Sequence, residues 1–124
     1  MYKFYNANAK GNNTADCVIR AISVAEGKTW DETYEKLSNI AQSEGVLIDD
    51  VNFVENYLDE KYERVPHCSK TIREFIEEYP RGIYLITMEG HITVVMNGVL
   101  YDTFDCRDRR IWCVWCVPNR YRGY

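Results

Sequence analysis

The dipeptide Asn97-Gly98 is the feature that most constrains how this 124-residue chain can fold. Asn-Gly between two apolar runs predicts a two-residue type I′ turn, because both residues tolerate the positive φ angles that this turn requires. A turn of this kind fixes the register of its two strands, so that Met96 pairs with Val99 and each later pair follows by counting outward. Partners across an antiparallel pair share a face, and residues alternate between faces along each strand. This one turn therefore predicts which side chains meet.

Counting outward from the turn brings a histidine and a carboxylate together. Thr93 falls opposite Asp102, and His91 falls opposite Phe104. His91 and Asp102 then lie on the same face as diagonal neighbours, within reach of an aromatic side chain. Asp105 falls on the other face by the same count, so the register selects Asp102 as the carboxylate beside His91.

The rest of the chain predicts an α+β fold. Apolar residues recur at helical spacing in the first two thirds of the chain, and β-type runs follow. N-terminal helices are therefore expected to pack on a C-terminal antiparallel β-sheet, in a single domain spanning residues 1–124. The predicted helices cover 16–26, 29–45, a segment from 49 or 50 to about 58, and a segment that Ser69 caps and that ends near 80–82. The predicted strands cover 62–65, 83–88, 91–96, 99–104 and 111–117.

Cys17 stands where a polar loop enters the first predicted helix. The segment from Asn12 to Asp16 is polar, and an apolar stripe that starts at Val18 follows it. In the first turn of a helix, unpaired N–H groups and the helix dipole favour an anion. Since the thiolate is the nucleophilic form of cysteine, this position predicts a reactive thiol. The alternative is a buried structural cysteine, because free cysteine is among the most buried residue types.

Cys17, His91 and Asp102 together match the requirements of acyl transfer. That chemistry needs a nucleophile, a base that takes its proton, and a group that orients the base. The three residues fill these roles by type, and the register brings two of them together. They are therefore the candidate catalytic residues, on the condition that the helix and the hairpin meet in space.

An acyl-transfer site also needs donors for the oxyanion. The backbone N–H of Cys17 would be the first, and a side chain just upstream would be the second. Asn13 is the preferred oxyanion-hole residue, and Asn12 is the alternative. Both residues are also common turn formers, which is a competing reason for their presence.

The five cysteines predict reduced thiols. An odd number in a chain whose first residues lack an apolar signal core argues against a disulfide framework and for a cytoplasmic location. Cys113 and Cys116 invite a zinc interpretation, with Cys106 and either Cys68 or His67 as further ligands. Residues three apart on a strand point to opposite faces, which argues against a shared zinc ion at Cys113 and Cys116. No metal and no cofactor are expected. His67, between Pro66 and Cys68, is expected on a surface loop. The cysteines are residues 17, 68, 106, 113 and 116.

The charge distribution argues against nucleic acid as a partner. The net charge is −4, but residues 1–106 carry ten basic and eighteen acidic side chains, and residues 107–124 carry five arginines against one aspartate. An acidic body repels nucleic acid. The basic tail is suited to contact an acidic partner or to neutralise the body. No apolar stretch is long enough to cross a membrane, so no membrane partner is expected. A protein or peptide is the substrate expected for a thiol hydrolase, and the oligomeric state stays open.

Two motifs resemble those of a known superfamily. The segment from Asp16 to Ile22 reads DCVIRAI, Gly90-His91 opens a strand, and residues 98–103 read GVLYDT. Together they are similar to the papain-like cysteine peptidase superfamily, and more narrowly to small bacterial and bacteriophage proteins with DCVxRAI, GH and GxxYDT segments. The resemblance spans roughly Asn13 to Trp115. The best-known members carry a glutamine several residues before the cysteine, where this chain has Gly11-Asn12-Asn13.

The resemblance implies a papain-like fold with a nucleophile helix on an antiparallel sheet. By motif position, Cys17 matches the nucleophile, His91 the base and Asp102 the orienting residue. The expected function is that of a cysteine hydrolase, acting as a peptidase, isopeptidase or amidase. The alternative is a catalytically inactive binding module of the same fold, such as a phage-encoded inhibitor of a host factor.

Overall fold

A six-stranded, mostly antiparallel sheet with helices on its faces forms the fold, and the predicted α+β class is confirmed. The structure is a computed structural model that describes residues 1–118. Its helices are α1 (Cys17–Glu26), α2 (Trp30–Glu44), α3 (Val51–Lys61) and α4 (Ile72–Glu78); its strands are β1 (Tyr2–Phe4), β2 (Glu63–Arg64), β3 (Ile83–Met88), β4 (His91–Met96), β5 (Val99–Asp102) and β6 (Cys113–Val117). None of these four helices combines the length and the apolar composition that a bilayer crossing requires.

The hairpin has the register that the Asn-Gly turn predicts. Met96 pairs with Val99, and the pairing continues inward to Val94 and Tyr101. Both turn residues have positive φ, 50° at Asn97 and 78° at the following glycine. The sheet order is β1-β5-β4-β3-β6-β2, so this hairpin lies beside the central strand β3.

The two ends of the sheet differ from the prediction. At one edge, β1 pairs with β5 in parallel, a strand that the polar and aromatic N-terminal sequence does not signal. β5 ends at Asp102 rather than at 104, because the backbone N–H of Thr103 turns back onto the Asp102 carboxylate. β6 begins at Cys113 rather than at 111, because the backbone N–H of Ile111 bonds the carbonyl of Lys70 outside the sheet.

Helix starts follow their capping residues, with one correction. Thr29 caps α2 through a capping box, as predicted. Ser69 does not cap α4, because the Ser69 hydroxyl donates to the Glu78 carboxylate instead. Thr71 takes the capping role, and its side chain accepts a hydrogen bond from the backbone N–H of Glu74.

Both faces of the sheet are covered by apolar packing. Helices α1, α2 and α3 pack on one face in a cluster that includes Leu85 and Trp115. Helix α4 packs on the other face in a cluster that includes Phe75 and Ile86. Every residue of β3 is buried, which explains its uninterrupted apolar sequence.

The cysteines are distributed over both faces. All five are unpaired. Cys113 packs against the α1 face and Cys116 against the α4 face, as strand alternation predicts. Arg120, Arg122 and the tyrosines at the end of the basic tail lie outside the described residues, so the expected role of that tail stays a prediction.

Candidate active site

Cys17 lies where the start of α1 meets the edge of β4. The backbone pairing of β4 with β5 ends at Val94 and Tyr101, which leaves the beginning of β4 without a strand neighbour on that side. Helix α1 packs against β4. The Cys17 thiol lines the same groove as His91 and Ile92, and the His91 side chain and the backbone N–H of Ile92 both lower its pKa. The thiol is therefore only partly buried and lies against the predicted base.

His91 and Asp102 form the pair that the hairpin register predicts. The His91 Nε2 atom lies 2.7 Å from Asp102 Oδ2. The Thr93 hydroxyl donates to the same oxygen at 2.7 Å, and the backbone N–H of Thr103 donates to Oδ1 at 2.7 Å. With Nε2 held by the carboxylate, Nδ1 is the imidazole nitrogen that remains for the Cys17 thiol. The carboxylate thus fixes the tautomer and orientation of the imidazole.

Hydrogen bonds outweigh burial in setting the charge states of these groups. Burial raises the pKa of the Cys17 thiol, but hydrogen bonds to His91 and to a backbone N–H lower it below its usual value overall. Burial lowers the pKa of His91, but hydrogen bonds to Asp102 and to the thiols of Cys106 and Cys17 raise it to about 11. Burial raises the pKa of Asp102, yet the bonds from His91 and Thr93 hold it below its usual range. These shifts favour a thiolate beside an imidazolium.

Arg20 ties the nucleophile helix to the orienting carboxylate. Its guanidinium pairs with Asp16 and lies 3.6 Å from Asp102 Oδ1. The indole N–H of Trp30 donates to the other Asp16 oxygen at 2.9 Å. Arg20 is one of the few buried charged residues, and its positive charge also lowers the pKa of the Cys17 thiol. The sequence reasoning missed this residue, because an arginine three positions after a cysteine does not by itself signal burial.

The first turn of α1, which contains Cys17, has no side-chain cap. The Asp16 side chain makes no capping hydrogen bond to the first turn, because its oxygens are bound to Arg20 and Trp30. The backbone N–H of Cys17 is therefore available as the first oxyanion donor. Asn13, the predicted second donor, is exposed in the preceding loop, and its assignment stays a prediction.

A groove of about 300 Å³ opens beside the thiol, between α3 and the turn that joins β3 to β4. Ala15 lies in its wall on the loop side, whereas neither Asn12 nor Asn13 is among the described residues that line it. Phe104 covers the imidazole from outside, with ring centroids 4.8 Å apart, and the His91 side chain is only 7% exposed. The groove is lined by Ala15, Cys17, Val18, Asp49, Val51, Val54, Glu55, Thr87, Met88, Gly90, His91, Ile92 and Trp112.

Cys106 is a second thiol at the site. Among residues 1–118, His91, Asp102 and Cys106 form the one group of potential metal ligands whose donor atoms all lie within 4.8 Å of one another. A zinc ion would bind nitrogen and oxygen donors at about 2 Å in a tetrahedral arrangement. Because His91 Nε2 and Asp102 Oδ2 lie only 2.7 Å apart, the arrangement fits a hydrogen bond and would have to open to admit a metal.

Comparison of the chain with protein-family models, with curated proteins and with solved structures finds no match in any of the three.

Proposed function

We propose that the chain is a papain-like cysteine hydrolase that cleaves a peptide, isopeptide or side-chain amide bond. One observation carries the proposal: the Cys17 thiol at the start of α1 lines the same groove as the His91 imidazole, and the imidazole is hydrogen-bonded to the Asp102 carboxylate. A nucleophile helix packed on an antiparallel sheet, as the sequence resemblance implies, supports the same reading.

The proposed reaction begins from the thiolate and imidazolium pair. The Cys17 sulfur attacks the substrate carbonyl carbon, and the carbonyl electron pair moves to the oxygen, which the Cys17 backbone N–H stabilises. Collapse of this intermediate breaks the C–N bond, and His91 gives its proton to the leaving amine. The thioester remains on Cys17. Neutral His91 then takes a proton from water, the resulting hydroxide displaces the thiolate, and a carboxylic acid is released.

Asp102 holds the imidazole through both stages of this mechanism. Its charge stabilises the imidazolium, and its fixed position keeps Nδ1 directed toward the sulfur. The thiol must be reduced to act, so we propose a reducing compartment such as the cytoplasm, with a protein or peptide as substrate.

The test is selective alkylation by iodoacetamide at neutral pH, followed by mass spectrometry of each cysteine. We expect Cys17 to react at least about tenfold faster than Cys68, because a thiolate rather than a thiol is the nucleophile. Cys68 is the internal reference because it is exposed. His91→Ala should slow alkylation of Cys17, since it removes the hydrogen bond and the charge that stabilise the thiolate.

His67→Ala is the matched control for the histidine substitution. His67 lies in a loop, where its Nδ1 bonds the carbonyl of Ser69, so this variant should leave the Cys17 rate unchanged. Equal and slow labelling of Cys17 and Cys68, unaffected by His91→Ala, would overturn the hydrolase proposal and favour a binding module.

A further inference from the structure

We propose that the groove beside Cys17 binds the side chain of a lysine or arginine, contributed by the residue whose carbonyl the thiol attacks. This inference rests on the proposed function and adds the substrate class. It is carried by the composition of the groove wall, which combines apolar side chains with an excess of acidic over basic side chains.

The apolar part of the wall comes from α3 and from the segment before β6. Val51 is 56% exposed and Trp112 is 51% exposed, although both are large apolar residues. Val54 on α3 and Met88 at the end of β3 also belong to the apolar lining. A long aliphatic stem packed against these side chains would remove apolar surface from water, as the stems of lysine and arginine commonly do.

The charged part of the wall is acidic. Asp49 precedes α3, and Glu55 lies one helical turn after Val51, so that it shares the face of α3 toward the groove. Among the described residues, no lysine or arginine lines this groove. A cationic side-chain tip is therefore the complementary ligand.

The guanidinium of Arg64 offsets only part of the negative charge of Asp49 and Glu55. Arg64 lies 3.5 Å from Glu55, but its closer partner is Asp59, which it binds through two contacts of 2.8 Å and 3.0 Å. Asp49 forms no ion pair with any residue in the described part of the chain. The imidazolium of His91 is matched by Asp102 and the Cys17 thiolate. The charge presented by the groove wall thus remains negative.

The size of the groove suits one side chain. A volume of about 300 Å³ is at the small end of the range for ligand pockets. Because Cys17 and His91 line the same groove as Asp49 and Glu55, a residue whose carbonyl meets the sulfur can place its own side chain along the groove. An acidic or a short polar side chain would leave the apolar wall exposed.

The test compares chloromethyl ketones of blocked single amino acids as reagents for Cys17. Lysine and norleucine reagents have nearly the same stem and differ in the terminal charge. We expect the lysine reagent to alkylate Cys17 roughly fivefold to tenfold faster than the norleucine reagent, and a glutamate reagent to be the slowest. The double variant Asp49→Asn/Glu55→Gln should reduce the lysine advantage to about twofold or less.

A control separates this groove from the general acidity of the protein. Glu35→Gln/Glu77→Gln removes the same two charges from exposed positions that do not line the groove, and should preserve the lysine advantage. If the double groove variant does not fold, Asp49→Asn alone provides the test, since Asp49 lies exposed in a turn.

Two results would overturn the inference. One is a norleucine reagent that reacts as fast as the lysine reagent, and the other is a lysine advantage that survives the groove substitutions. If iodoacetamide still labels Cys17 rapidly, either result rejects only the inferred substrate class. Slow labelling of Cys17 by iodoacetamide would instead reject the proposed hydrolase function.

Discussion

At the scale of residues, the reactivity of Cys17 depends on a balance between burial and hydrogen bonding. Burial opposes the charged form of each member of the site, and the shifts favour charge only because the groups face one another. The Asp102 carboxylate is the anchor, since it accepts hydrogen bonds from His91, Thr93 and the backbone N–H of Thr103. Altering that carboxylate should therefore change the pKa of the Cys17 thiol, because His91 interacts with both groups.

Asp102→Asn should move the pH dependence of Cys17 alkylation upward. Burial lowers the pKa of His91, and the Asp102 carboxylate is first among the groups that raise it, so removing that charge lowers the pKa of the imidazolium and weakens the cation that stabilises the thiolate. The Cys17 pKa then rises, and the midpoint of the rate-against-pH curve should increase by about one unit, roughly a tenfold loss of rate below it. The measurement is the alkylation rate of Cys17 from pH 4 to 9.

Asp105→Asn is the matched control for that shift. Asp105 is exposed and pairs with Arg107. Its neutralisation should leave the Cys17 midpoint in place. An equal shift in both variants would mean that general surface charge, rather than the Asp102 contact, sets the thiol pKa.

At the scale of elements, the site is the junction of one helix end and one hairpin. The hairpin brings His91 and Asp102 together through its register, and α1 adds Cys17 where the pairing of β4 with β5 ends. Arg20 connects the two elements, because its guanidinium contacts carboxylates on both. The position of α1 and the geometry of the candidate catalytic residues should therefore depend on the buried Arg20 side chain.

Arg20→Met should destabilise the protein and slow Cys17 alkylation. The substitution keeps most of the side-chain volume but leaves buried Asp16 without its cation and removes one of the two cations beside Asp102, at a cost of about 2–4 kcal/mol in the free energy of unfolding. Urea unfolding measures this loss. Arg73→Ala breaks an exposed pair with Asp108 and should change stability far less, because solvent screens that pair. Equal losses in the two variants would contradict the linking role of Arg20.

At the scale of the whole molecule, the sheet is covered on both sides. One apolar cluster joins the sheet to α1, α2 and α3, and the other joins it to α4 and the segment before β6. Strand β3 contributes to both clusters, so it holds the two halves of the core together. Just after β1, the backbone N–H of Tyr5 donates to the carbonyl of Asp102 at 2.9 Å and supports the site from the sheet edge.

Leu85→Ala and Ile86→Ala test this two-sided arrangement. The residues are adjacent on β3, point to opposite faces and are both fully buried. Each substitution should lower the free energy of unfolding by about 2–4 kcal/mol, because each leaves a cavity in a packed core. Urea unfolding of the two variants checks this, with Lys3→Ala at the exposed sheet edge as the reference. If only one variant loses stability, one face of the sheet is not covered by a packed apolar core.

The sequence by itself determined the α+β class, the hairpin register and the pairing of His91 with Asp102. These follow from local chemistry, since an Asn-Gly turn fixes φ and strand alternation fixes faces. Only the tertiary structure decided that the Cys17 thiol reaches that pair, that Arg20 is buried between them and that β1 joins the sheet in parallel. Those contacts join residues far apart in the chain, and no local pattern encodes which distant surfaces pack together.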